Sequence, residues 1–351
     1  MKTITTEREV LNVLTAHLQD VPFIRVKSMR EQARLGDFNA DAVISLRTRS
    51  GASVRVIVEV KASGQPRIAR DAVNQLVRFR REAPDAYGVF GAPFVSREAA
   101  EICTKEGIGY LDLAGNCRLS FDQVFISREG FRKQLPEKRE LRSLYAPKAS
   151  RVLRVLLMHS KEWWKTQALA GEASVSLGQV QNVKNRLRDR EWIAEQRAGF
   201  RLINPQALLK EWAENYTYRR NTVRDFYAMG EPDEVEEAVS RVCQEQGIPY
   251  ALTAFSAASR VAPSVRGQRT TIYVSTVSDD LVNGVGLREV PSGANVSLMV
   301  PYDEGVYYSI RDIGSRKIVS PVQLYLDLKG YRGRGEEAAE AVWQKELVPI
   351  W

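Results

Sequence analysis

Near the start of the chain apolar residues recur at helical spacing. Val10, Leu11, Leu14 and Leu18 fall on one side of a stretch running over residues 7–19. The period then shortens to two, and residues 42–46 and 54–60 read as strands. A polar helix over about 67–82, a strand over 87–90, a helix over 96–106 and a short strand over 108–111 follow. That order predicts an α/β layer built on a small mixed sheet. The charge-rich stretch 128–142, with Pro136, reads as a linker.

Helical spacing returns over 150–159, with Val152, Leu153, Leu156 and Leu157 inward, and over 165–173. Ser176 is a plausible N-cap for a third helix over 177–188. There Leu177, Val180, Val183 (or Lys184) and Leu187 should face the first two helices. Two short strands, 192–196 and 199–203, flank Arg197 and predict a hairpin with a basic tip. Trp163 and Trp164, between the first two helices, are read as packing groups. Residues 221–237, with Gly230-Glu-Pro, read as a second linker. Beyond it come a helix over 234–246, the small-residue run 251–260, strands at 271–275, 296–300 and 306–310, and a last helix over 335–347. The predicted class is therefore α/β multidomain, with domains at 1–135, 147–225 and 230–351. The last domain carries no nucleophile, base and acid set and no phosphate loop, since Gly333-Arg-Gly reads only as a helix start. It is expected to be an interaction or scaffold domain.

Composition narrows the class. With 351 residues, 44% hydrophobic and 27% charged, the chain is an ordinary globular one, which excludes fibrous and disordered classes. Three cysteines without CxxC spacing and two histidines exclude a disulfide framework and a cysteine or histidine zinc site. No apolar run approaches the roughly 20 residues that span a bilayer. The expectation is a cytoplasmic protein with reduced thiols and no membrane partner. The formal charge of +8 is unevenly placed: +6 over 1–146, +7 over 147–225 and −5 over 226–351. A basic first two-thirds points to a polyanionic partner.

Asp41 opens one predicted strand, and the next ends Ile57-Val58-Glu59-Val60-Lys61. Alternation puts Glu59 and Lys61 on one face, and Asp41 on the adjoining strand can reach it. Two carboxylates there would hold Mg²⁺ through oxygen, and the lysine would orient or deprotonate a water attacking a phosphodiester. The same Glu and Lys would otherwise serve as a salt-bridge pair on a solvated sheet face. The run Asp41, Glu59, Lys61, with Gln75 on the following helix, resembles the PD-(D/E)XK nuclease superfamily over about residues 5–125. By that resemblance Asp41 and Glu59 are metal ligands, Lys61 is the catalytic lysine, and Gln75 helps place water or phosphate. Ala40 stands where the name-giving proline would be, and Glu7 or Glu9 would be the N-terminal acid that completes the site.

On the third helix of the middle segment, Gln179, Gln181, Asn182, Asn185, Arg186 and Arg188 line the polar face, and Lys184 sits at its border. Gln, Asn and Arg pair with base edges, while Lys and Arg neutralise phosphates. With Arg197 on the hairpin, residues 147–205 resemble a winged helix-turn-helix, which lays its third helix in the major groove of double-stranded DNA. Residues 150–348 taken together resemble the AbiEi type of type IV antitoxin and transcriptional regulator. The phrases that carry this are Leu208-Leu-Lys-Glu-Trp-Ala, Tyr250-Ala-Leu-Thr-Ala-Phe-Ser-Ala-Ala-Ser-Arg-Val-Ala-Pro, Gly293-Ala-Asn-Val and Val319-Ser-Pro-Val-Gln-Leu-Tyr-Leu-Asp-Leu. The resemblance implies promoter binding, a C-terminal domain needed for antitoxin function, and a nucleotidyltransferase-like toxin partner. A two-fold operator would call for a homodimer. The expected function is a DNA-binding transcriptional regulator of antitoxin type with a nuclease-like first domain. The alternative is a Mg²⁺-dependent DNA endonuclease that the winged helix targets.

Overall fold

A computed structural model describes residues 2–35, 38–83, 85–131, 144–262, 267, 269–331 and 334–351. Most of the linker read at 128–142, including Pro136, lies outside the described residues, as do Pro263 and Gly333. The chain divides into two compact units, Met1–Arg139 with Leu187–Glu191, and Glu140–Arg186 with Trp192–Trp351.

In the first unit α1 (Lys2–Gln19) leads into β1 (Arg25–Leu35), β2 (Phe38–Arg47) and β3 (Ser53–Val60). Then come α2 (Pro66–Glu82), β4 (Ala86–Ala92), α3 (Arg97–Lys105), β5 (Gly109–Asp112), β6 (Cys117–Phe121) and β7 (Val124–Arg128). The seven strands form one sheet in sequence order. β1, β2 and β3 run antiparallel, whereas β3, β4 and β5 are parallel and joined through α2 and α3. The sheet is mixed, as expected, but larger than the sequence pattern predicts. β1 and β7 were hidden because charged and exposed residues interrupt their alternation, whereas β6 alternates cleanly over only five residues.

Alternation along the strands loads both faces. Val56, Val58 and Val60 pack with Val10, Leu11, Leu14 and Leu18 of α1, while Val43, Ile57 and Phe90 pack with Ala72, Val73 and Leu76 of α2. Gly64 links β3 to α2 where a side chain cannot fit, because a Cβ there would lie 2.1 Å from the Phe94 carbonyl oxygen. Pro66 then starts α2 at a position where its missing N–H costs nothing.

The second unit opens with α4 (Pro147–Met158), α5 (Thr166–Glu172) and α6 (Leu177–Asp189), whose last three residues are grouped with the first unit, followed by the hairpin β8 (Ile193–Gln196) and β9 (Gly199–Leu202). Trp164 pairs with Phe200 and adds a bridge to the hairpin. Next come α7 (Pro205–Glu214), β10 (Thr222–Tyr227), α8 (Pro232–Glu245), β11 (Tyr250–Leu252), α9 (Ala254–Val261) and β12 (Thr270–Val274). The last elements are α10 (Asp279–Val285), β13 (Arg288–Glu289), β14 (Val296–Val300), β15 (Arg311–Ile313), β16 (Arg316–Ile318), α11 (Pro321–Lys329) and α12 (Arg334–Val342). Strands β10 to β16 form a second sheet in the order β13-β10-β14-β12-β11-β16-β15. The strand expected over 306–310 is replaced by a 3₁₀ turn, Glu304–Tyr307, because the Asp303 side chain accepts the Gly305 N–H at 2.8 Å and caps it.

α4 is buried almost all round, which marks a helix enclosed by its own unit rather than one with a solvent face. Arg151 grips Asp303 with two hydrogen bonds of 2.8 and 3.0 Å, and the Trp351 indole donates to the Leu157 carbonyl. Deeper in, Arg154 donates to Ser150 and to the Gln323 amide oxygen. The Gln323 amide nitrogen donates to Tyr216 and Asp327, and Thr253, Tyr216 and Tyr273 also donate to Asp327. The Arg154 guanidinium lies 5.0 Å over the Trp212 ring. Burial pushes the Asp327 carboxyl above its usual range even though its four hydrogen-bond donors pull the other way.

Candidate functional site

The first site forms where β2 and β3 bring two acids close together. Ala42 pairs with Val58, so Asp41 stands just beyond the paired stretch, close enough to Glu59 for its charge to act on that carboxyl. Asp41 Oδ2 accepts the Val60 N–H at 2.7 Å, which pins the carboxylate at the end of β3. Glu59 is only 4% exposed, and its one hydrogen bond among the described residues comes from the Lys61 ammonium. Burial raises the Glu59 carboxyl above its ordinary value, with further pushes from Asp41 and Glu7, while Lys61 pulls it back.

Glu7 of α1 is the N-terminal acid that joins the group, and Glu9 points to solvent. Burial and the Asp41 charge raise the Glu7 carboxyl. Gln32 of β1 ties the acids together, its amide donating to Glu7 at 3.2 Å and to Asp41 at 3.4 Å. Gln32 holds φ at +47°, the left-handed region that costs a non-glycine residue about 1 kcal/mol or more. Sequence reading missed Gln32, since nothing in the charged run 25–34 marks a strand. Gln75 sits half-buried on α2 beside core residue Leu76, and no hydrogen bond among the described residues ties it to the acids.

Asp112, at the end of β5, shows the contrast. It is fully buried but accepts from Val95, Ala114 and both nitrogens of Asn116, so it is a turn-holding group. Among the described residues Glu59 has only the Lys61 donor and keeps acceptor capacity to spare.

The donors at Asp41 and Glu59 are hard oxygens, which suits Mg²⁺. Among the described residues no three His, Cys, Asp or Glu side chains gather closely enough to enclose an ion. Mg²⁺ does not need that, because it commonly takes one or two carboxylates and completes its shell with water and substrate phosphate. The two acids therefore fit such an ion, with Glu7 nearby.

The second site is the surface of α6 and the hairpin. Val180, Val183 and Leu187 are buried, whereas Leu177, expected inside, is 54% exposed at the helix start. Leu177 is the first residue of the helix, one turn before Val180. Gln181, Asn182 and Asn185 are exposed, and Gln181 donates to Asn185 at 2.9 Å. Gln179, Arg186 and Arg188 are half-exposed. Lys184 turns from that face toward the hairpin, where it pairs with Glu195 at 2.7 Å and lies over the Phe200 ring. Arg197 is exposed at the hairpin tip. Trp163 stacks under Arg201 and Trp164 is held in the hairpin bridge, as packing groups.

Comparison with known proteins adds to this geometry. A family model described as "Transcriptional regulator, AbiEi antitoxin, Type IV TA system" covers part of the second unit. Residues 201–348 match it. The long phrases at 208–213, 250–263 and 319–328 build the buried network of this AbiEi-like part, for they supply Trp212, Thr253, Gln323 and Asp327. No curated protein matches the chain by sequence. Solved structures resemble its N-terminal part. A repair endonuclease from Pyrococcus abyssi does so at 14% identity and a TM-score of 0.24, over 30% of this chain and 46% of that one. An EndoMS–dsDNA complex does so at 21% identity and a TM-score of 0.23, over 30% and 44%. The chain spans less than half the length of these structures. The three cysteines are free and buried, and among the described residues no helix is long and apolar enough to cross a membrane.

Proposed function

We propose that the chain is a DNA-binding transcriptional regulator of the antitoxin type, which reads duplex DNA through α4 to β9 used as a winged helix. The match of residues 201–348 to the AbiEi antitoxin and regulator family carries this reading. The solvent-facing amides of Gln181, Asn182 and Asn185 support it, because such groups pair with base edges in the major groove. Arg186, Arg188 and Arg197 flank them as phosphate contacts, and Lys184 acts by holding the hairpin against α6. A homodimer on a two-fold site, a nucleotidyltransferase-like toxin partner and a cytoplasmic location belong to the same reading. The test is footprinting of the chain on its own promoter. Asn182→Ala/Asn185→Ala should lose the footprint while retaining salt-sensitive non-specific binding, and an unchanged footprint would reject α6 as the reader.

A second reading has its own observation, the gathering of Glu7, Asp41, Glu59 and Lys61 at one end of β3. In it the first unit is a Mg²⁺-dependent DNA endonuclease that the winged helix targets. Mg²⁺ bound at Asp41 and Glu59 would supply Lewis-acid activation of the phosphoryl group and the attacking water. Lys61, beside Glu59, supplies a positive charge close to the negative charge that develops on phosphate. Glu7, linked to Asp41 through Gln32, is the proton acceptor that this reading assigns. Gln32 keeps Glu7 and Asp41 in one orientation. Metal-dependent cutting of plasmid DNA by the wild type, abolished in Lys61→Ala with gel retardation retained, supports this reading. Retardation without cutting by the wild type leaves the regulator alone.

A further inference from the structure

The face of the first sheet that carries Asp41 and Glu59 continues outward along β1 and β2. Residues opposite each other on antiparallel strands share a face. Arg25 pairs with Arg47, Ser28 with Ser45 and Arg30 with Val43, on the α2 side that Val43 marks. Two residues beyond Arg30 stands Gln32, whose amide donates to Asp41 and Glu7. A lane of Arg25, Arg47, Ser28, Ser45 and Arg30 thus leads straight to the candidate hydrolytic centre. Lys27 stands at the register shift between Val26 and Ser28.

The charges of this lane are unbalanced. Arg25, Lys27, Arg30 and Arg47 are all exposed, and among the described residues none forms an ion pair or hydrogen bond. Neighbouring cations are treated differently, as Arg55 is paired with Asp85 at 2.7 Å and Arg97 with Glu101 at 3.1 Å. Arg25 and Arg47 stand directly across from each other. Like charges in that position destabilise a sheet, so the chain alone gains nothing from the arrangement. Residues 25–32 cover about 23 Å at roughly 3.3 Å per strand residue. That is about seven base pairs at 3.4 Å each.

We propose that the Arg25, Arg30 and Arg47 face of the β1–β2 ribbon is a phosphate track that lays the backbone of duplex DNA along the sheet toward Asp41 and Glu59. The proposal rests on the reading of the first unit as acting on DNA, and it assigns that unit an affinity of its own, separate from base reading by α6. The two arginines in register hold adjacent phosphates, and a bound polyanion removes their mutual repulsion. β1 keeps its solvent edge long and charged for this use, which also blocks edge-to-edge pairing of sheets.

The experiment uses the full chain and a 20-base-pair duplex without operator sequence, in EDTA, with affinity read by fluorescence anisotropy across a NaCl series. Each arginine–phosphate pair that a substitution removes lowers the slope of log affinity against log salt by about 0.9. Arg25→Gln/Arg47→Gln should therefore flatten the slope by about 2, and Arg30→Gln alone by about 1. Asn182→Ala/Asn185→Ala should leave the non-specific slope unchanged. Removing a like-charge pair should not lower the melting temperature, so a flattened slope in a folded protein reports the track. A slope unchanged in the double variant overturns the proposal, and so does tighter binding of a duplex RNA than of the DNA. Cutting by the wild type with Mn²⁺ is scored separately. A flattened slope in a protein that never cuts would keep the track and remove the hydrolase reading.

Discussion

Replacing Lys61 with alanine tests the logic of the acid cluster through stability as well as activity. Glu59 is almost fully buried, and the Lys61 ammonium is its one hydrogen-bond donor among the described residues. Breaking a fully buried ion pair by removing one partner costs about 3–5 kcal/mol. The Lys61 side chain is 34% exposed, so water reaches part of the vacated space and the cost is discounted to about 1–2 kcal/mol. That lowers the melting temperature of the first unit by roughly 3–8 °C. The Glu59 carboxyl already lies above its ordinary value through burial, and removing Lys61 raises it further. A carboxyl raised on folding binds its proton more readily in the folded state, so acidification favours the fold. The deficit should be full where Glu59 is ionised in both states. It should shrink as pH falls through the raised folded value toward the unfolded value of about 4.3.

All six tryptophans lie at position 163 or beyond, so tryptophan fluorescence follows the second unit. Hydrogen exchange of the β3 and β4 amides follows the first. At pH 8 Lys61→Ala should speed that exchange and leave the fluorescence melt in place, and at pH 5 the difference should narrow. Glu59→Gln/Lys61→Ala should recover most of the stability, because no buried charge is left unpaired. A deficit equal at both pH values, or one that Glu59→Gln fails to relieve, refutes the reasoning.

Other outcomes follow from the same structure. Mn²⁺ affinity, measured by calorimetry, should fall as pH drops, because the raised Glu59 and Glu7 carboxyls bind protons that compete with the ion; Asp41→Asn should weaken it at every pH. Asp327→Asn places an amide group among donors and should destabilise the second unit by about 2–4 kcal/mol, visible in the fluorescence melt. Gly64→Ala forces a Cβ against the Phe94 carbonyl and should disturb the β3 to α2 turn, lowering thermal stability of the first unit without touching the acids.

Much of the first unit was legible in the sequence because its parallel core obeys simple periods. Val56 to Val60 alternate cleanly between two covered faces, and the two acids and lysine followed from that alternation. β1 was not legible, since an edge strand with one solvated side needs few apolar residues and Gln32 leaves the β region altogether. The choice between Glu7 and Glu9 depends on the rotation of α1 over the sheet, which three-dimensional packing alone sets. On α6 the buried stripe was read correctly except at Leu177. Lys184, at the border of that stripe, went to the hairpin because Glu195 and Phe200 together offer an ion pair and a ring face. In the last part of the chain single residues said little, yet the long phrases coincide with the buried network, whose geometry demands several specific side chains at once.

That network bears on how such chains can be recombined. The Gln323 amide takes the Arg154 guanidinium on its oxygen and gives its nitrogen to Tyr216 and Asp327, so the bonds run in one direction from α4 to α11. A fragment beginning at α7 would hold nearly all of the family match at 201–348 but only one half of this lock, with the Arg154 donor missing and the Gln323 side of the network uncovered to water. A piece grafted with the network intact therefore reaches back through α4, and a foreign helix in place of α4 completes it when it brings a donor to the position of Arg154.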